Sequence, residues 1–209
     1  MASCFISLRL AKKRYRIPFG VSIARTNCKE AVSVENGIQD YVAGFHAMKG
    51  VGDYFALNIS CPNSYGGQPF SDPEKYSMLL SALSQLKIKK PVFVKLSPDI
   101  YKEDIDKIIN ISRKYNFIRG FICSNLTKEK NIAGKGGSSG KAVEDRSEKL
   151  LSYVYSKTQG DFVLIGVGGI FSVEDAYRKI KLGANLVELI TGMIYNGPSL
   201  IGEINSGLV

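Results

Sequence analysis

The sequence predicts an α/β fold built on a parallel sheet. Three observations carry that expectation: short runs of β-branched and aromatic residues that are apolar almost throughout, helical patterns between them, and polar or glycine-rich residues closing each run. Six such runs separated by helices fit either a doubly wound sheet or a barrel. A complete (β/α)8 barrel takes ~250 residues, so for a barrel six units in 209 residues imply two strands absent or contributed otherwise.

In chain order the runs are Pro18 to Ile23, Tyr54 to Ile59, Pro91 to Leu96, Gly120 to Ser124, Val163 to Val167 and Leu186 to Thr191. Ser71, Asp72 and Pro73 open a helix whose Tyr76, Leu79, Leu80, Leu83 and Leu86 share one face. Glu103 and Asp104 precede Ile105, Ile108, Ile109 and Ile111, acidic residues suiting a helix N-terminus. Ser172 with Asp175 resembles a capping box, and Gly183 stops the helix that follows. Residues 1–16 read as a segment leading into the barrel portion at 17–209.

Composition narrows the function classes. No stretch reaches the roughly 18 apolar residues of a membrane-spanning helix. Residues Met1 to Leu10 are apolar apart from Ser3, Ser7 and Arg9 and precede Lys12, Lys13, Arg14 and Arg16, the reverse of a secretory signal. Cys4, Cys28, Cys61 and Cys123 form no C-x-x-C pair and His46 is the single histidine, which argues against a zinc site, a disulfide framework and a histidine relay. A reducing, cytoplasmic setting fits. The net charge of +9 is spread in short clusters, read as a solvated surface in preference to one serving polyanions or anionic lipid.

In parallel α/β folds chemistry gathers where strands end. The second run ends Asn58-Ile59-Ser60-Cys61-Pro62-Asn63, bringing carboxamides that both donate and accept together with a thiol. Cys61 is a base or nucleophile if nearby cations lower its pKa, and otherwise a half-buried loop thiol. Lys95 lies inside the apolar Val94-Lys95-Leu96 and needs an anionic ligand, an electron-accepting ring, or a structural ion pair with Asp99 or a neighbour. Ser124-Asn125 closes the fourth run, whereas Cys123 reads as core. Gly134 to Lys141 mimics a P-loop, but its spacing is one residue too long and Ala142 replaces the magnesium-binding hydroxyl, so ATP binding is rejected. The turns at Gly166 to Gly169 and Thr191-Gly192 suit a phosphate.

Asn58 to Asn63, Val94 to Asp99, Ser124-Asn125, Gly137 to Lys141, Ile165 to Ile170 and Tyr195-Asn196-Gly197-Pro198 together resemble the dihydroorotate dehydrogenase family in order and spacing, from about Pro18 to the C-terminus. The resemblance implies a (β/α)8 TIM-type barrel, incomplete at about six of eight strands with its first strands missing, and FMN-dependent oxidation of dihydroorotate to orotate in pyrimidine biosynthesis. Cys61 falls at the position of the base. Asn58, Asn63 and Asn125 match residues that bind the pyrimidine. Lys95, Ser124, Ser139, Gly140, Gly168, Gly169, Thr191 and Gly192 match residues that hold FMN.

A cysteine base is characteristic of the family's soluble branches, whereas Gly136 to Arg146 and Val163 to Pro198 look closer to the quinone-linked, membrane-associated branch. The resemblance therefore implies quinone as electron acceptor, with fumarate or NAD as alternatives, and leaves peripheral membrane contact and a homo-oligomer open; no nucleic acid is expected. Ser22 replaces the asparagine that typically contacts FMN in that branch, the family's A-G-F-type loop and its lysine have no match, and no closing helix is expected after the last strand. Two other readings remain: a non-catalytic barrel remnant binding a phosphate ligand or partner, and a flavin-dependent dihydropyrimidine or dihydrouridine reductase.

Overall fold

A computed structural model of the chain describes residues 16–128 and 136–209. The apolar-then-basic N-terminal stretch, Cys4 and the start of the glycine run at Gly134 lie outside them. Among the described residues six strands form one sheet: β1 (Gly20–Ala24), β2 (Tyr54–Asn58), β3 (Val92–Leu96), β4 (Ile118–Cys123), β5 (Val163–Val167) and β6 (Leu186–Glu188). Every neighbouring pair is parallel and the order is sequential from β1 to β6. A doubly wound sheet reverses its order at a switch point, so the sequential order selects the barrel alternative. The strands make an incomplete (β/α)8 barrel with β1 and β6 at its ends.

Helices fill the connections, as parallel strands require. They are α1 (Val34–Met48), α2 (Pro73–Ser84), α3 (Lys102–Ser112), α4 (Glu144–Thr158), α5 (Val173–Lys181), α6 (Thr191–Asn196) and α7 (Ser199–Gly207). The sequence signals act as read: the Asp72 carboxylate accepts from Lys75 N at α2, and Ser172 Oγ accepts from Asp175 N at α5. The expectation that no helix closes the last unit is overturned by α7. Its Gly202, Asn205 and Ser206 are poor helix formers, but Leu200 and Ile204 bury one stripe against Ile170 and Ala176, so packing overrides propensity. Among the described residues no helix is long and apolar enough to cross a membrane.

Strand alternation separates two cores. Phe55, Leu57, Val92, Val94, Phe121 and Leu164 face the helices, packing on side chains such as Phe45, Leu79, Ile108 and Leu151. Ala56, Phe93, Ile122 and Ile165 form a smaller interior layer. Cys123 belongs to the helix-side core, and burial pushes its thiol up to about 12.

Candidate active site

Two residues beyond the interior layer, the same alternation turns Asn58 and Lys95 inward at the barrel mouth, where they are register partners across β2 and β3. Asn58 Oδ1 accepts from Ser60 N at 3.3 Å, Ser60 Oγ at 3.2 Å and Asn125 Nδ2 at 3.4 Å. Asn125 Nδ2 also donates to Ser60 O at 3.1 Å and Oγ at 2.9 Å. The two carboxamides thus form one network, which Tyr41 braces by donating to Asn58 O at 2.8 Å.

Cys61 is half-buried and Asn63 exposed on the loop that continues from this network. Buried Arg25 anchors that loop, donating from Nη1 to Ala31 O at 2.7 Å and from Nη2 to Gly67 O at 3.1 Å. Asn27 Oδ1 accepts from Tyr65 N at 2.6 Å. On the other side, Pro62 approaches Gly137, where a Cβ would come within 2.7 Å of Leu126.

Beside the network lies a cleft of about 220 Å³. Every residue assigned to the flavin lines it, namely Lys95, Ser124, Ser139, Gly140, Gly168, Gly169, Thr191 and Gly192, and so does Asn125. Cys61, Asn58 and Asn63 do not line it; Asn58 meets it through Asn125, directly at 3.4 Å and by way of Ser60. Gly168 and Gly169 turn with φ of +105° and +79°, and the turn is backed by Lys179, whose Nζ donates to Ser147 Oγ at 2.7 Å. Burial lowers the Lys179 pKa, opposed by Glu148 at 3.4 Å. Ser139 and Thr191 hydroxyls meet at 3.0 Å, joining the loop before α4 to the start of α6.

Lys95 is ion-paired, but not to Asp99. Its Nζ sits 2.8 Å from Glu188 Oε1, while Asp99 takes Thr127 Oγ1 at 2.6 Å, Lys128 N at 3.0 Å and Arg146 at 3.3 Å. Proximity in sequence suggested Asp99; it instead points to the loop after β4. Lys141, the last residue of the P-loop mimic, is held by Glu144 at 2.9 Å and Asp175 at 3.0 Å. Arg25 and Glu188 were missed, although each had a signal: Arg25 directly follows an apolar run, and Glu188 is a charge inside one, as Lys95 is.

The donor set fits a flavin nucleotide. The lining combines glycine turns that expose backbone N–H groups, hydroxyls and a lysine, and Val143, Val167, Ile170 and Leu189 supply apolar walls for a flat ring.

Comparison with known proteins identifies the family. The family model for dihydroorotate dehydrogenase matches residues 5–209. The chain is 37% identical to the dihydroorotate dehydrogenase (quinone) of Nostoc punctiforme, over 92% of this chain and 54% of that protein. It is 35% identical to that of a Nostoc species, over 98% and 58%. A ligand-free DHODH structure from Eimeria tenella superposes with a TM-score of 0.82 at 26% identity, covering 99% of this chain and 63% of the other. The chain therefore spans a little over half the length of these curated relatives. A sequential parallel barrel with carboxamides, a lysine and glycine turns at its mouth, matched along almost its whole length, belongs to the dihydroorotate dehydrogenase family.

Proposed function

We propose that this chain holds FMN in the cleft at the mouth of β3 to β6 and oxidises dihydroorotate to orotate. The observation that carries the reading is the convergence of every residue assigned to the flavin on one cleft beside the Asn58–Ser60–Asn125 network. FMN, when bound, supplies the hydride acceptor. Asn58, Asn63 and Asn125 offer donors and acceptors to the carbonyl and N–H edges of the pyrimidine. Cys61 Sγ takes the C5 proton as the C6 hydride leaves. Gly168, Gly169 and Gly192 present backbone N–H groups to the phosphate, and Ser124, Ser139 and Thr191 offer hydroxyls to the chain between phosphate and ring.

Quinone is the assigned electron acceptor, on the names of the relatives above. A quinone acceptor goes with peripheral membrane contact from a cytoplasmic position, while the +9 net charge, spread in short clusters, reads first as a solvated surface and does not by itself argue for that contact.

The test is orotate formation by the full chain after reconstitution with FMN, supplied with quinone, fumarate or NAD. Cys61→Ala should retain flavin and lose turnover by about 10²- to 10⁴-fold. Unchanged turnover would remove Cys61 as the base, and a protein that takes up no flavin would leave a non-catalytic barrel.

A further inference from the structure

We propose that Glu188 sets the charge the cleft presents to the flavin ring, by holding Lys95 in an ion pair, and that it thereby weakens flavin retention and disfavours the reduced cofactor. This rests on the flavin reading above. Lys95 and Glu188 are 93 residues apart in sequence, yet their side chains meet at 2.8 Å, and both line the cleft. The Lys95 side chain is 17% exposed and that of Glu188 35%, so solvent screens the pair only partly. Lys95 lies between fully buried Val94 and Leu96, and its register partners are uncharged Asn58 and Ile122. Among the described residues, Glu188 is the carboxylate paired with it.

A lone lysine offers the ring a full positive charge, whereas the pair offers a dipole with no net charge. Oxidised flavin takes up two electrons and one proton to become a monoanion, so its ring gains one negative charge. An unpaired Lys95 favours that change; a paired one favours it far less. The FMN phosphate adds negative charge that the Glu188 carboxylate also repels.

The experiment uses the full chain and FMN itself as probe, comparing wild type with Glu188→Gln, Glu188→Asp and, as a control on exposed α7, Glu203→Gln. Affinity is read from quenching of flavin fluorescence. The midpoint potential of the bound flavin is read by dithionite titration against an indicator dye. Glu188→Gln should bind FMN about tenfold tighter. It should also prefer the reduced form about tenfold, a rise of about 30 mV for a two-electron couple. Glu188→Asp and Glu203→Gln should stay near wild type. Wild-type protein that binds FMN while Glu188→Gln shows neither tighter binding nor a raised potential would overturn the inference and leave the flavin reading intact. Protein that takes up no FMN in any form would sink both.

Discussion

Gly168 answers to two separate constraints. Its φ of +105° is a conformation that side-chain-bearing residues rarely adopt, and a Cβ there would come within 2.8 Å of Val143. Gly168→Ala should therefore destabilise the chain by about 1 to 3 kcal/mol and lower FMN uptake, measured by denaturant unfolding and flavin titration. The thiols divide in a similarly local way. Cys123 is fully buried with its pKa raised, whereas Cys28 and Cys61 are half-buried. Iodoacetamide near pH 8 should label Cys61 and Cys28 well before Cys123 in the native protein, and labelling of all three at equal rates would refute the packing around Cys123. At this scale the sequence was legible wherever a polar residue interrupted an apolar strand, as Asn58, Lys95 and Ser124 do. The partner of Lys95 was not, because register and curvature bring Glu188 across the sheet and chain order says nothing of either.

Helix α5 gathers much of the charge behind the cleft. Asp175 near its start takes Lys141 at 3.0 Å, Arg178 at 2.6 Å and Phe171 N at 2.9 Å. Burial pushes its pKa up, but these donors outweigh it and the carboxyl ends below its ordinary value. A depressed carboxylate gives stability that is full above the unfolded pKa of about 4 and is lost as pH falls through the folded value. Asp175→Asn should thus cost about 1 kcal/mol at neutral pH, because Lys141 and Arg178 are half exposed and keep other carboxylates, and flatten the acid limb of the stability profile. Ser172→Ala, which removes the α5 cap, should cost about 1 kcal/mol, read from the denaturant midpoint. The starts of α2, α3 and α5 were visible as caps and acidic turns. Helix α7 was not, since its residues are poor helix formers and the stripe that holds it matters only once Ile170 and Ala176 are in place.

Across the whole molecule, β1 and β6 stand at the ends of the sheet, and Gly20, Ser22 and Ala24 of β1 are exposed. Leu186, Ile190, Ile194 and Tyr195 add exposed apolar surface near β6. Such edges invite pairing with another chain. Sedimentation should show association that increases with protein concentration, and a monomer across a hundredfold range would count against it. The strand pattern made the parallel α/β class readable; barrel against doubly wound sheet depended on strand order, which hydrophobic periodicity does not encode. The sheet also bears a mechanical reading. Lys95 and Glu188 lie on strands three positions apart, a path of about 14 Å along a flat sheet. Their side-chain tips meet at 2.8 Å, so the pair bridges the mouth from one strand to the other. Whatever draws the two charges apart opens that bridge between distant strands, so the electrostatics of the mouth depends on how near the sheet brings β3 to β6.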